Sequence, residues 1–335
     1  MAHWIAKPSR SKIIKHCVGR PFLTLNEWIW NRLPHSVKGT PTGLRYGKFI
    51  HSAVQLNSDR TQVHGTFFLR NRPELALIRS LAVQKARGDA LKITVLACSN
   101  GAEVYSIVWA IRSVRPDLDL HVHAVDISEE VVQVARRGVY SLDKASLVRE
   151  HILKRLTSEE LTSMFDREGD STFRIKLSVS EGITWHVGDA NDSSLTRQIG
   201  AADIVVANKF LCHMQPPEAE ECLRNLVRFV KPGGYLFVSG VDLNVRTKVA
   251  LDLGWVPVPD LLREIHDGDP SVRGDWPQRY WGLEPFDSAQ PDWKIRYAAV
   301  FKVGSPLDIH EINFSSSANK ISRPAESKRV TKALS

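Results

Sequence analysis

Three places in this sequence combine residue type and spacing in a way that could hold a small-molecule ligand. The first is Ala97-Cys98-Ser99-Asn100-Gly101, at the end of the apolar run Ile93-Thr94-Val95-Leu96-Ala97-Cys98. A glycine there lets the backbone come close to a ligand, and the N-terminus of the helix that follows offers N–H groups suited to a carboxylate. The second is Asp126, 25 residues after Gly101 and at the end of Leu120-His121-Val122-His123-Ala124-Val125. A carboxylate in that position can accept from both hydroxyls of a ribose. The third is Asp189, which follows Ile183 to Val187 and Gly188 and can accept from an exocyclic amine such as that of adenine. Together they describe an adenosine-shaped ligand. Singly, each has a plain alternative: a tight turn for Gly101, a helix cap for Asp126, and a turn before Asn191-Asp192 for Asp189. Neither G-x-G-x-x-G nor G-x-x-x-x-G-K-[ST] occurs, so a pyrophosphate dinucleotide and a P-loop nucleotide are not indicated.

Other chemistry is less well supported. Cys17, Cys98, Cys212 and Cys222 form no C-x-x-C pair, and no Cys/His cluster has zinc spacing, so no metal is expected. His121 and His123 share one strand face without a third ligand. Of the 335 residues 43% are hydrophobic and 24% charged, as in a packed globular protein. No run reaches the roughly 18 apolar residues of a membrane span, and the basic start lacks the apolar core of a secretory signal. A cytoplasmic protein without a membrane partner is expected. The net charge of +8 is scattered and has no aromatic-interleaved basic stripe, so nucleic acid is not expected as a partner.

The elements that must position these residues alternate. Ile93–Cys98, Leu120–Val125, Phe173–Leu177, Ile183–Val187, Ala202–Ala207 and Tyr235–Gly240 read as strands. Pro73–Arg87, Glu103–Val114, Ser128–Arg137 and Pro217–Val230 read as helices. Residues 141–180 read as charged and helical, and Trp293 to Val303 as a hairpin arm. This alternation predicts an α/β, Rossmann-like fold: a mostly parallel sheet with helices on both faces. Residues 1–65 read as an irregular N-terminal cap with one helix, Leu25 to Leu33; Pro34, Gly39, Pro41, Gly43 and Gly47 are expected to break anything longer. Residues 66–303 form the ligand-binding domain, and 304–335 a disordered tail.

The stretch Cys98-Ser99-Asn100-Gly101-Ala102-Glu103-Val104-Tyr105-Ser106-Ile107 resembles the S-x-G-E-E-x-Y-S segment of the chemotaxis receptor methyltransferases (CheR). Asp126-Ile127-Ser128 through Ala135-Arg136-Arg137-Gly138-Val139-Tyr140 is similar to that family's D-I-x…A-R-x-G-x-Y. Phe67-Phe68-Leu69-Arg70 resembles its F-F-R element, and Leu223 through Phe237, with Lys231-Pro232-Gly233-Gly234, its late helix-to-strand segment. The resemblance covers roughly residues 64–240.

It implies S-adenosylmethionine as cofactor and methyl transfer as the reaction. Arg70, Ser99 and Glu103 would hold the cofactor's amino-acid end, beside Cys98 and Gly101. Asp126 and Ile127 would bind the ribose; Asp189 and Ala190 would lie near the adenine. The family's C-R-N-x-x-I-Y-F segment falls on Ala207 to Met214, where Asn208 replaces Arg, Lys209 replaces Asn and His213 replaces Tyr. Asn208 is expected beside the cofactor, and Lys209 and His213 beside the acceptor. His213 suits proton removal, or else orients the loop before Pro216; Lys209 could hold an acidic acceptor, or sit on the surface. The aromatic residues Trp276, Tyr280, Trp281 and Trp293 either pack under the last strands or line an acceptor pocket with His266 and Glu284. The expected acceptor is a hydroxyl or carboxylate on a small metabolite, with a receptor-type protein glutamate or a non-catalytic cofactor sensor as alternatives.

Overall fold

The computed structural model describes residues 20–57, 64–144, 150–268, 276–278 and 283–304. Its strands in chain order are β1 (Ala90–Leu96), β2 (Asp119–Asp126), β3 (Val139–Ser141), β4 (Phe165–Arg167), β5 (Thr172–Ile175), β6 (Ile183–Val187), β7 (Ala202–Asn208), β8 (Val230–Ser239), β9 (Val256–Pro257) and β10 (Val300–Lys302). Seven of them form one sheet in the order β6-β2-β1-β7-β8-β10-β9. β6, β2, β1, β7 and β8 run parallel, and β10 is antiparallel to both of its neighbours. The fold is a Rossmann-like α/β sheet with helices on both faces.

Side-chain alternation decides the two faces. Ile93, Val95, Ile204, Val206 and Phe237 enter one core with the helices Arg72–Val83 and Ala102–Arg112. Leu96, Val205, Ala207, Leu236 and Val238 enter the other with Pro216–Leu226 and Leu243–Asp252. Sheet order then places the site. From β1 the chain builds outward to β2 and β6, then crosses back to lay β7 on the other side. A crevice opens at such a reversal, beyond the carboxyl ends of β1 and β7.

A second sheet, β3-β5-β4, is antiparallel and rises from the connection between β2 and β6. Residues 141–180 were expected to be helical apart from a strand at Phe173–Leu177; β5 meets that strand, β4 was not expected, and the helices are short: Ser158–Met164 and Leu177–Ser180. Their charges lie on exposed positions, while Phe165 and Phe173 are buried and make edge contacts that reach Phe68 and Tyr140. Trp293–Arg296 is one helical turn, so only Val300–Lys302 of the expected arm is strand. β8 begins at Val230, five residues before the expected start. A register irregularity opposite Ala202 and Ile204 carries Lys231-Pro232-Gly233-Gly234 into the strand.

The cap is not irregular where it is described. It consists of the helices Arg20–Arg32, His35–Lys38 and Pro41–Asn57. Pro41 opens the last of these, where its missing N–H is harmless. Gly43 and Gly47 sit inside this helix because of what touches them. A Cβ on Gly43 would stand 2.1 Å from the Val37 carbonyl, and one on Gly47 would stand 2.3 Å from the Trp276 ring. The glycines mark close approach, and Trp30, Ile50 and Val54 close a small core around Trp276. Gly47→Val should therefore loosen the cap, detectable as faster proteolysis of the helix Pro41–Asn57 and a melting temperature lower by several degrees, a few kcal/mol being usual for overpacking. An unchanged digestion pattern would show that the cap is held elsewhere. The start before residue 20, the tail beyond Gly304, Tyr280 and Trp281 lie outside the described residues. Among the described residues no helix is long and apolar enough to cross a membrane.

Candidate active site

One cavity gathers residues from the ends of β1, β2, β7 and β8. Ala97, Cys98 and Ser99 follow β1, and Asp126 ends β2; Asn208 and Lys209 close β7, and Ser239 ends β8. Arg70, Glu74 and Glu103 complete the floor, with Phe210 and His213 on the wall beyond β7. The space between these residues, open solvent at the mouth included, is about 730 Å³.

The backbone around it is unusual. Leu69, Ala97, Ser99 and Lys209 have φ of 50°, 54°, 50° and 61°. Left-handed conformations cost non-glycine residues energy and persist where the surroundings hold them. Here they are held by named bonds. The Leu69 N–H donates to Ser106 Oγ at 3.0 Å, and Arg155 donates to the Arg70 carbonyl at 3.0 Å. The Ser99 hydroxyl donates to the His64 carbonyl at 2.7 Å, and the Lys209 N–H to the Ser239 carbonyl at 2.8 Å. Tyr105 and Tyr140 are buried and donate to the carbonyls of Ala135 and Asn100, both at 2.6 Å. The tyrosines and Ser106 of the sequence motifs thus brace the ligand loop.

Asp126 is buried and organises the bend. Its Oδ2 accepts from the Ser99 N–H at 2.8 Å and its Oδ1 from the Ser128 N–H at 3.0 Å. Each oxygen keeps a further lone pair.

Two carboxyl groups share the floor. Asn208 Nδ2 donates to Glu74 Oε1 at 2.7 Å and to Glu103 Oε1 at 2.9 Å, while its Oδ1 accepts from the Ser239 hydroxyl at 2.7 Å. Burial raises both acids, Glu74 to about 8. The charge of Glu103 adds to the shift at Glu74, against the Asn208 hydrogen bond and the positive charges of Lys209 and Arg70. Burial likewise holds the Cys98 thiol well above its usual range, so it is not a nucleophile.

Of the residues expected to form the site, Arg70, Cys98, Ser99, Glu103, Asp126, Asn208, Lys209 and His213 line this cavity. Gly101, Ile127, Asp189 and Ala190 do not. Gly101 is buried with φ 88°, and a Cβ there would meet Ala135 and Trp185, each at 2.9 Å. The glycine is needed for packing beneath the helix start. Ile127 is 58% exposed. Asp189 is exposed and its Oδ1 is occupied by the Asn191 N–H at 2.8 Å. That oxygen serves its own turn, at the end of β6, which pairs with β2. Ala190 packs against the second core.

His266 and Glu284 belong to a separate aromatic cluster. His266 Nε2 lies 2.9 Å from the Glu284 carbonyl, its ring packs on Phe286 and Tyr297, and the Glu284 carboxylate pairs with Arg296 at 2.7 Å. His123 and His186 meet at 3.0 Å, and no group of three or more metal-ligating side chains forms among the described residues.

Sequence reasoning missed Asn71, Glu74 and Ser239, and the run His64 to Thr66. Glu74 stands in the first turn of the helix Arg72–Val83, where its N–H is capped by the Asn71 side chain. It reads there as an ordinary helix-start carboxylate, since nothing local announces a partner 134 residues away.

The residues present fit a nucleoside joined to an amino acid. The buried acceptor at Asp126, with Glu103 and Arg70 in the same cavity, suits a ligand that carries both hydroxyls and a zwitterionic end. Comparison with known proteins agrees. The CheR methyltransferase, SAM binding domain, matches residues 64–248, more than half of the chain. Chemotaxis protein methyltransferase 2 of Vibrio cholerae is 23% identical over 207 residues, covering 58% of this chain and 69% of that protein. The probable biofilm formation methyltransferase WspC of Pseudomonas aeruginosa is 24% identical over 228 residues, covering 66% and 51%. Chemotaxis protein methyltransferase Cher2 of Pseudomonas putida is 27% identical over 181 residues, covering 52% and 58%. The chain thus spans from about half to just over two thirds of these relatives. A match to the SAM-binding domain over residues 64–248, around a cavity with this floor, makes the chain a member of the CheR family, an S-adenosylmethionine-dependent methyltransferase.

Proposed function

We propose that the acceptor is a carboxylate, methylated on oxygen, and that the cavity holds it through Lys209. The observation that carries this is the end of β7. Lys209 is fixed there at positive φ, with Gly240 so close that a Cβ on the glycine would lie 2.6 Å from the Lys209 Cα. A lysine whose backbone is fixed at the wall of the cavity favours an anion there. A carboxylate is already ionised at neutral pH, so it needs orientation and charge balance more than a base.

The cofactor, when bound, supplies a methyl group on a positively charged sulfur. The protein's own residues do the rest. Asp126 accepts from the ribose hydroxyls, and Arg70 donates to the carboxylate of the amino-acid end. Phe210, on the wall of the cavity, limits water. Names of relatives give the order of testing: two are chemotaxis protein methyltransferases, so a receptor-type protein carboxylate comes first and a small acid second.

A second reading is favoured by His213, which lines the same wall on the short turn Leu211–His213. With a hydroxyl acceptor, His213 would take the proton. Extracts incubated with methyl-labelled cofactor separate the two: label released by mild base as methanol indicates an ester, and base-stable label overturns the carboxylate reading. His213→Gln should cost turnover less than about threefold for a carboxylate acceptor. For a hydroxyl acceptor general-base loss costs about 100-fold or more. Lys209→Gln should raise the acceptor KM by about tenfold, the order of one exposed-to-half-buried ion pair.

A further inference from the structure

Glu74 is a buried acid that neither the sequence motifs nor the methyl-transfer reading employs. It is 3% exposed. Its Oε1 is satisfied by Asn208, but its Oε2 is buried and has no hydrogen-bond partner among the described residues. Asn208 can give nothing more, because both Nδ2 hydrogens are spent on the two glutamates and its Oδ1 is taken by Ser239. The two Oε1 atoms are no further apart than two bonds of 2.7 and 2.9 Å laid end to end.

Several charged or titratable groups surround Glu74. Glu103 faces it from the helix Ala102–Arg112, Lys209 from the end of β7 and Arg70 from the preceding loop. Asp126, Cys98, His64 and His213 line the remaining walls of the cavity. A neutral amide bridging two buried carboxyls cannot balance two negative charges, and burial outweighs the more distant cations. One proton therefore stays on the pair. An orphaned acceptor beside that proton is a site awaiting a small cationic donor. Of the cofactor's two positive centres, the sulfonium has no N–H, whereas an ammonium has three.

We propose that Glu74 is a cofactor-positioning residue that carries a proton in the free protein and exchanges it for the ammonium group of the cofactor's amino-acid end. This rests on the cofactor assignment above. In the exchange the O–H bond of the Glu74 carboxyl breaks and the proton passes to bulk buffer. The resulting carboxylate, together with Glu103, accepts N–H bonds from the ammonium. No electron transfer is involved.

The raised position of Glu74, at about 8, sets the window. Below it the free protein holds the proton and binding must expel it. Above it the proton is already gone.

The test is titration calorimetry of the full chain with S-adenosylhomocysteine at pH 7, in buffers of different ionisation enthalpy. Release of close to one proton is expected, with affinity rising by about tenfold per pH unit between pH 6 and 7 and levelling above about pH 8. 5′-Methylthioadenosine, which lacks the amino-acid end, should bind without release. Glu74→Gln should bind S-adenosylhomocysteine without release and with a flat pH profile. Homocysteine-ligand binding without proton release, equal release with methylthioadenosine, or full release from Glu74→Gln would each overturn the proposal. The methylthioadenosine comparison uses the unaltered protein, so it decides even where the variant folds poorly. If neither ligand binds folded protein, the cofactor assignment itself fails, a result distinct from binding without release.

Discussion

Asp126→Ala is expected to weaken S-adenosylhomocysteine binding by on the order of 100-fold or more, from the loss of two hydrogen bonds to a charged acceptor at about 1.5–3 kcal/mol each. The carboxylate has two tasks. It fixes the bend after β1 through the Ser99 N–H, and it presents lone pairs to the cavity. Asp126→Asn should not rescue it. An amide NH2 would confront either the Ser99 or the Ser128 N–H, both of which now donate to oxygen. Calorimetry on folded variants checks this; an Ala variant that binds as tightly as the parent would remove Asp126 from the ribose role.

Asn208→Leu is expected to lower the melting temperature by about 10 °C at pH 9, and much less at pH 5. Two amide bonds to ionised acids are together worth roughly 4 kcal/mol, and a domain of this size shifts about 2–4 °C per kcal/mol. The pH dependence follows from Glu74. Its carboxyl is held at about 8 in the fold against an ordinary 4.5. Between those values the unfolded chain has lost a proton that the folded chain keeps, so this site's contribution to stability falls as pH rises from 4.5 to about 8, and levels above. The Asn208 amide stabilises the ionised form, so its removal is felt most where the pair is ionised. Melting curves at the two pH values decide; equal losses would show that Asn208 acts only by packing.

Lys209 and His213, both departures from the resembled motif, follow directly after Asn208. That segment supplies Asn208, Lys209 and His213 to the lining of the cavity. A change of acceptor in this protein can therefore arise within six residues, leaving Asp126 and the bend after β1 untouched.

What the sequence by itself determined was the alternation of buried runs with helices, and with it the sheet. It also determined that the bend at Ser99 and the carboxylate of Asp126 meet. Both follow from local pattern, because a period of two or 3.6 shows in neighbouring residues and strand ends converge once strands are parallel. The helical cap was not legible, because Gly43 and Gly47 look like breakers until Val37 and Trp276 are seen against them. Asp189 was read as a ligand or as a turn residue, and one of its oxygens accepts within its own turn. Gly101 was read as admitting the cofactor or as a tight turn, and the room it makes for Ala135 and Trp185 could not be seen. The Glu74–Asn208–Glu103 floor was decided by tertiary structure alone. Its members lie on two helices and a strand up to 134 residues apart, and a carboxyl group's proton depends on the water and charge around it, which no local spacing encodes.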